Sequence, residues 1–197
     1  MHSVTNEFEA RCLISEEKYF EIASLLFRDD PYLKVINQKN QYFDTDNLDL
    51  RENHITLRIR IIPHCSAVLT MKYKAEDSDV EISQTLSYFQ HQHLLKKSHF
   101  PKGPVVTKLK SLGLPLSDIK YQCSLVTKRM QIDKEGYNYC LDQNDYNGAR
   151  DYNFEVEAES QAEAKKLLVE FAMKYNFEVE KGPGKSTRAL LSIKKTQ

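Results

Sequence analysis

The chain has 197 residues, of which 28 are lysine or arginine and 28 are aspartate or glutamate, so its formal net charge at pH 7 is zero. A neutral chain has no global field that recruits nucleic acid or an anionic membrane, so any phosphate site must be a local cluster of cations. This length can bury enough apolar surface to fold without disulfides, and we predict one domain spanning residues 1–197.

The four cysteines are widely spaced and form no CxxC pair, which excludes zinc-ligand spacing and a redox pair; they are Cys12, Cys65, Cys123 and Cys140. We therefore interpret them as reduced thiols. The first residues lack the basic and apolar segments of a secretion signal, and no stretch approaches the roughly 18 apolar residues that span a membrane. We expect a cytoplasmic protein with no membrane partner.

The first half of the chain is predicted to be mostly antiparallel β. Residues 4–13 alternate charged and apolar side chains with the period of two that is typical of a strand. Ser15 then caps a helix over residues 15–27, with Glu16 and Glu17 near its positive dipole end. After a break at Pro31, strands are predicted near residues 32–43, 55–62, 67–75 and 79–86.

The second half begins with two predicted helices and then returns to strands. The helices cover residues 87–97 and 105–112, and Pro101, Gly103 and Pro104 place a turn between them. Strands follow near residues 121–132, 137–142 and 152–159. A capping box at Ser160 predicts a helix over 160–174, and a short helix is expected after Gly184. The strands therefore resume as one sheet rather than starting a second domain.

Several predicted strands carry charged side chains at positions i and i+2 with apolar residues between them. Each such strand has one polar face. The ordinary explanation is that these faces contact water in a two-layer α+β domain. The alternative is a sheet closed into a barrel with the polar face inward and helices 15–27 and 160–174 covering the outside. Cations and carboxylates in one cavity would suit a condensed phosphate with Mg²⁺ or Mn²⁺, because these hard ions prefer oxygen ligands.

The order of these charged motifs resembles that of the CYTH, or triphosphate tunnel, superfamily. The sequence EFEAR at residues 7–11 is similar to the family's N-terminal ExExK strand, with arginine in the place of lysine. Residues 42–45, 48–51 and 57–60 resemble its second and third strands, and residues 69–72 resemble the strand that ends in a tunnel lysine. Residues 128–129 and 141–142, the turn at Gly148, residues 155–157 and residues 185–188 follow in the family's order.

The resemblance implies a fold and a set of site residues. The implied fold is α+β, an eight-stranded antiparallel β-barrel with a charged interior and flanking helices. The implied catalytic residues are Lys72 and Glu81. The implied ligands of Mg²⁺ or Mn²⁺ are carboxylates, namely Glu7, Glu9, Asp142, Glu155 and Glu157. The implied substrate-binding residues are cations, namely Arg11, Arg58, Arg60, Lys72, Arg129, Lys185 and Arg188.

The predicted function is metal-dependent hydrolysis of a triphosphate. Inorganic tripolyphosphate is the favoured substrate, because the motifs offer many charges and no evident pocket for a base or for thiamine. Thiamine triphosphatase and class IV adenylyl cyclase remain open within the family. A non-catalytic module that binds polyphosphate or nucleotides remains open outside it, as does the oligomeric state. Arg11 keeps the charge of the family lysine but makes proton transfer there unlikely, since a guanidinium does not deprotonate.

Two other motifs are interpreted as structural. The segment GPGKST at residues 182–187 is similar to the end of a P-loop, but that motif needs an earlier glycine where Val179 stands, and a βαβ unit around it. Lys185 at a helix start is what remains. The histidines His91 and His93 lie in a polar helical stretch, and we predict that they belong to a solvated face rather than to a metal site.

Overall fold

The structure is a computed structural model that describes residues 2–28, 30–62, 67–75, 78–114, 116–180 and 182–193. The strands are β1 (His2–Glu7), β2 (Glu9–Ile14), β3 (Leu33–Asp44), β4 (Ile55–Ile61), β5 (Ala67–Lys74), β6 (Asp79–Leu86), β7 (Lys120–Lys134), β8 (Tyr137–Tyr146) and β9 (Ala149–Ala158). The helices are α1 (Glu16–Ile22), α2 (Asp49–Glu52), α3 (Tyr88–Lys97), α4 (Pro104–Ser111), α5 (Gln161–Lys174) and α6 (Lys185–Ile193). A π-helical turn, Ala23–Phe27, extends α1.

The strands form one antiparallel sheet in the order β1-β6-β5-β4-β3-β7-β8-β9-β2. This confirms the predicted fold class, an antiparallel β structure with helices. The strand count is nine among the described residues rather than the predicted eight. The difference arises at Phe8, where the predicted strand over residues 4–13 is interrupted, so that β1 pairs with β6 while β2 pairs with β9.

The chain divides into two compact units, each assembled from segments distant in sequence. Unit 1 consists of Met1–Asn6, Lys39–Leu125 and Lys185–Gln197, and unit 2 consists of Glu7–Gln38 and Val126–Gly184. The long strands β3 and β7 are hydrogen-bonded neighbours, and each contributes residues to both units. The single domain over residues 1–197 stays a prediction.

Unit 2 has its own apolar core on one face of its strands. Helices α1 and α5 are amphipathic, and their buried residues pack on the apolar residues of β2, β8 and β9, including Ala10, Leu141, Phe154 and Val156. The ring of Phe154 stacks on that of Phe171 from α5, with 4.2 Å between centroids. Burying each such ring stabilises the fold by about 2–3 kcal/mol, and this gain fixes which face of the strands points into the core.

Unit 1 has a separate apolar core built from alternate residues of β4, β5 and β6. In β4, Ile55, Leu57 and Ile59 are buried, while the residues between them lie on the opposite, polar face. Helices α3 and α4 cover the apolar face through Leu94 and Leu109, which are both fully buried. The period of two in each strand therefore leaves a polar face on unit 1, as it does on unit 2.

The segment at residues 48–51, predicted to belong to a strand, forms the short helix α2 instead. The carboxylate of Asp44 accepts hydrogen bonds from the backbone N–H groups of Thr45, Leu50 and Arg51, and it is 1% exposed. Leu48 adopts a left-handed conformation with φ of 64°. The buried carboxylate thus stabilises a tight turn and the start of a helix. The alternation of apolar residues in this segment does not predict either.

The hairpin between β8 and β9 turns at Asn147 and Gly148, both with positive φ, the geometry of a type I′ turn. Within the part of the chain described, no helix combines the length and apolar character needed to cross a bilayer. Cys12, Cys123 and Cys140 are buried, and their interpretation as reduced thiols stays a prediction. Cys65 lies outside the described residues.

Candidate active site residues on two polar faces

The polar face of unit 2 brings together most of the predicted metal ligands. On the paired strands β2 and β9, Glu9 lies opposite Glu157 and Arg11 lies opposite Glu155. On the next pairs, Asp142 of β8 lies opposite Arg129 of β7, and Asn153 of β9 lies opposite Asp142. Cross-strand partners share a face, so these residues form one cluster. We call it the acidic cluster; it consists of Glu9, Arg11, Arg129, Asp142, Glu155 and Glu157.

Arg129 neutralises the buried carboxylates of the acidic cluster. Its Nε and Nη2 donate to the two carboxylate oxygens of Asp142 at 2.8 Å each, and Nη2 also donates to Glu155 Oε2 at 2.6 Å. Nη1 lies 4.0 Å from Glu157. The side chain of Asp142 is 0% exposed and that of Glu155 is 3% exposed. Burial alone lowers the pKa of Arg129, but the charge and hydrogen bonds of Asp142 outweigh it and raise that pKa well above its usual value.

Arg11, the residue that departs from the family lysine, also contacts carboxylates. Its Nη2 donates to Glu9 and its Nη1 lies 3.9 Å from Glu155. A β-carbon added at Gly182 would lie 2.4 Å from the side chain of Leu13 on β2. Gly182, in the segment that resembles a P-loop, therefore allows the backbone to approach β2 closely.

The donor set of the acidic cluster fits the chemistry of a hard divalent cation, because carboxylate oxygens are its preferred ligands. Among the residues that the structure describes, however, no three acidic, histidine or cysteine side chains are arranged to hold a metal ion. Arg129 instead engages Asp142 and Glu155. Glu7, the remaining predicted ligand, is the last residue of β1 and is half-buried.

The polar face of unit 1 collects a second set of predicted site residues. Across β3, β4, β5 and β6, Tyr42 lies opposite Arg58, Arg58 opposite Thr70, and Lys72 opposite Glu81. We call this set the cationic cluster; it consists of Arg58, Arg60, Lys72, Glu81, Lys185 and Arg188. The two clusters together contain twelve of the thirteen predicted positions, and Glu7 on β1 belongs to neither.

Glu81 is held by a short hydrogen-bond chain. Arg58 Nη2 donates to Glu81 Oε2 at 3.0 Å, and Ser83 Oγ donates to Glu81 Oε1 at 3.1 Å. Ser83 Oγ in turn lies 3.1 Å from Thr70 Oγ1. Nε of Arg58 is buried with no hydrogen-bond partner among the described residues. An unmet N–H of this kind on an arginine is costly, and it makes Arg58 a strong candidate to bind an anion.

Tyr42 is a buried phenol on the polar face of unit 1. Burial raises the pKa of Tyr42, and the positive charges of Arg58, Arg60 and Arg188 act in the opposite direction. Arg188 lies on α6, whose Ser186 hydroxyl is 3.0 Å from that of Thr56 on β4. Because its pKa is raised, the Tyr42 phenol stays protonated and is a poor general base.

Lys72 and Arg60 each contact a polar side chain of unit 1. Lys72 Nζ lies 3.4 Å from Asp79, and Arg60 Nε lies 3.3 Å from Asn40 Oδ1. Lys185, the first residue of α6, is half-buried. Their role in binding an anion stays a prediction.

The predicted solvated face of α3 is wrong for one of its two histidines. His93 is exposed, but His91 is half-buried and its Nε2 lies 2.8 Å from Gln41 Oε1. Burial, with a smaller contribution from Lys39, lowers the pKa of His91. Neutral polar residues such as Gln41 and Asn144 carry no pattern in the sequence that distinguishes a buried side chain from a solvated one.

Comparison with known proteins agrees with these motifs. A family model described as CYTH domain matches residues 5–185. A Bacillus subtilis (strain 168) protein named "Putative triphosphatase YjbK" is 32% identical over 171 residues, 85% of this chain and 87% of that protein. The crystal structure of a "putative adenylate cyclase" from Bacillus halodurans has a TM-score of 0.86 and 30% identity, covering 94% of this chain and 97% of that chain.

A more distant structure shows the same fold. The Hippeastrum protein HpAC1 has a TM-score of 0.71 and 21% identity, covering 98% of this chain and 96% of that chain. The motif resemblance is confirmed, because the family model spans nearly the whole chain and the B. subtilis relative covers most of it. The chain therefore belongs to the CYTH domain family.

Proposed function

We propose that this protein hydrolyses a phosphoanhydride bond of a triphosphate, with inorganic tripolyphosphate as its substrate. The proposal rests on where the charged side chains lie: cations lie on the polar face of unit 1 and carboxylates on the polar face of unit 2. A polyanionic substrate needs cations, and its counter-ion needs oxygen ligands. The B. subtilis relative, named as a triphosphatase, supports the same activity.

Enzymes of the triphosphate tunnel type use divalent metal ions in general. In this chain we expect the ion to be Mg²⁺ or Mn²⁺, held by Glu9, Glu155 and Glu157, with Glu7 and Asp142 nearby. When bound, the ion supplies positive charge to the phosphate oxygens as a Lewis acid. Arg129 fixes the direction of the Asp142 and Glu155 carboxylates through its hydrogen bonds.

The cations would bind the phosphate chain and stabilise the charge that develops on it. Hydrolysis adds water across the anhydride: a P–O bond forms to the attacking oxygen, the P–O bond to the leaving diphosphate breaks, and orthophosphate and diphosphate result. Arg58, Arg60 and Lys72 would neutralise the oxygens that gain charge as the bond breaks. Glu81 would hold Arg58 in place and act beside Lys72, its cross-strand partner.

Tripolyphosphate is favoured over a nucleotide by the state of Tyr42. This aromatic ring shares the polar face of unit 1 with Arg58 but is 1% exposed, so its face is not presented to stack on a base. Adenylyl cyclase activity stays the second candidate, because the B. halodurans relative at 30% identity carries that name. We also keep the cytoplasm as the compartment, where the free thiols Cys12, Cys123 and Cys140 stay reduced.

The test is to incubate the protein with tripolyphosphate, ATP or thiamine triphosphate, each with Mg²⁺, Mn²⁺ or EDTA, and to measure orthophosphate, diphosphate and cyclic AMP. The double variant Glu7→Ala/Glu9→Ala is the control. We expect metal-dependent release of orthophosphate from tripolyphosphate that the control abolishes. Cyclic AMP with stoichiometric diphosphate would favour the cyclase, and tight tripolyphosphate binding without turnover in any metal would favour a binding module.

A further inference from the structure

A row of uncharged polar side chains continues the polar face of unit 2 beyond the acidic cluster. Thr127, Asn144 and Asn153 are each 0% exposed, on neighbouring strands β7, β8 and β9. Buried amides are costly unless their N–H and C=O groups are hydrogen-bonded. The hydrogen bonds of these three side chains therefore indicate which neighbouring residues they hold in place.

The orientation of Asn144 is fixed by its neighbours. The hydroxyl of Thr127 donates to Asn144 Oδ1 at 2.9 Å, and Asn144 Nδ2 donates to Asp151 Oδ1 at 2.9 Å and to Asn153 Oδ1 at 2.8 Å. An ionised aspartate can only accept hydrogen bonds, so Asp151 requires the amide nitrogen of Asn144 to point toward it. Tyr146 donates its phenolic hydrogen to the other oxygen of Asp151 at 2.6 Å.

Asn153 connects Asn144 to the acidic cluster. Because Asn153 Oδ1 accepts from Asn144, its Nδ2 is the atom that faces Asp142, at 3.4 Å from Oδ2. That oxygen also accepts from Arg129 Nη2, which donates to Glu155 as well. Asn144 thus donates both to Asp151 and to Asn153, Asn153 donates to Asp142, and Arg129 links Asp142 to Glu155, so one connected network joins Asp151 to the carboxylates that we expect to hold the metal ion.

We propose that Asn144 and Asn153 are positioning residues for the metal site. They hold Asp142, which holds the guanidinium of Arg129, which in turn fixes the carboxylate of Glu155. This inference rests on the proposed function, since it assumes that Glu155 is a metal ligand. A residue that hydrogen-bonds a metal ligand directly contributes about 10- to 100-fold to metal affinity or activity. Asn153 has that position toward Asp142, which is among the predicted metal ligands.

The test is Mn²⁺ binding by isothermal titration calorimetry with no substrate present. Asn153→Asp keeps the size of the side chain but replaces the N–H donor with a second carboxylate facing Asp142, so Asp142 loses the donor that orients it and is repelled by a like charge. We expect the Kd for Mn²⁺ to rise about 10- to 100-fold. Thr127→Val is the matched control: it removes a buried hydrogen bond, but Asp151 still orients Asn144, so Mn²⁺ affinity should stay at the wild-type value.

Thermal unfolding of each variant separates positioning from folding. Asn153→Ser shortens the donor without adding a buried charge, and it decides the case if Asn153→Asp does not fold; its Mn²⁺ affinity should also fall at least about tenfold. Wild-type affinity in the folded Asn153 variants would overturn this inference and leave the proposed function intact. Wild-type protein that binds no Mn²⁺ would overturn both.

Discussion

The two units carry the same kind of sequence pattern, charged residues at every second position of a strand, but they treat the charges differently. In unit 2 the carboxylates of Asp142 and Glu155 are almost fully buried and are bonded to Arg129 within 2.8 Å. In unit 1 the ion pair between Arg58 and Glu81 is about 15% exposed and 3.0 Å long, and Lys72 is 3.4 Å from a carboxylate that is 37% exposed.

This difference separates two tasks of a polar strand face. The acidic cluster is neutralised from within by arginine, so its geometry is set before any ion arrives. In the cationic cluster the ion pairs of Arg58 and Lys72 are more exposed to solvent, so an anion from solution can reach these two cations. A chain with zero net charge can therefore still carry a positively charged face, because its cations and its carboxylates are concentrated in different places.

We expect the largest effect on stability from removing Arg129, whose partners are buried. Arg129→Met leaves Asp142 and Glu155 buried without their cation, and removing one partner of a buried ion pair costs about 3–5 kcal/mol in the free energy of unfolding. Arg58→Met, the matched change in unit 1, should cost about 1–2 kcal/mol, since Glu81 keeps its hydrogen bond from Ser83 and some contact with solvent. Urea unfolding measures both, and equal losses would contradict the comparison.

The next effect tests the division of labour in activity. Glu157→Gln should raise the Mn²⁺ concentration for half-maximal tripolyphosphate hydrolysis at least about tenfold, because a charged oxygen ligand is lost. Arg60→Gln should instead raise KM for tripolyphosphate about tenfold, the loss of about 1.4 kcal/mol of phosphate binding.

Each of these two variants is the control for the other. Steady-state kinetics over a grid of metal and tripolyphosphate concentrations separates the two parameters. If Arg60→Gln shifted the metal requirement as much as Glu157→Gln does, cations and carboxylates would not have separate roles.

The smallest expected effect is a pH dependence in unit 1. The pKa of His91 is lowered by burial from its ordinary value of 6.5, so the unfolded chain binds a proton there before the folded chain does. The stability that His91 contributes is fully present above pH 6.5 and is lost as the pH falls through its folded pKa. His91→Gln should flatten the fall in urea midpoint between pH 7 and pH 5, with His93→Gln as the control for losing a histidine from α3. If the urea midpoint of His91→Gln fell with pH as steeply as that of the wild type, His91 would not be a source of the pH dependence.

Much of this arrangement was predictable from the sequence. Period-two patterns with charges at residues 7–11, 58–60 and 155–157 predicted strands with polar faces, and the order of those motifs predicted the family. The break at Phe8 could not be predicted, because residues 2–14 keep one alternating pattern while their partners change from β6 to β9. The helix at α2 depends on the distant carboxylate of Asp44, which a local pattern does not reveal.

The site was predictable in composition and not in pairing. The sequence indicates that Arg129, Asp142 and Glu155 are charged residues on strand faces, but only the register of β7, β8 and β9 places the guanidinium between the two carboxylates. Asn144 and Asn153 were missed for a different reason. A neutral amide on a polar face has the same pattern whether it contacts water or is 0% exposed.

The discontinuous make-up of the two units has a consequence for synthesis on the ribosome. Unit 1 needs residues 1–6 together with residues 185–197, and unit 2 needs residues 7–38 together with residues up to 184. Domains usually fold in order as the chain emerges, starting from the N-terminus. Here β1 can pair with β6 once residue 86 has been made, whereas β2 stays without its neighbour β9 until residue 158 has been made, so unit 2 completes its sheet only late in translation.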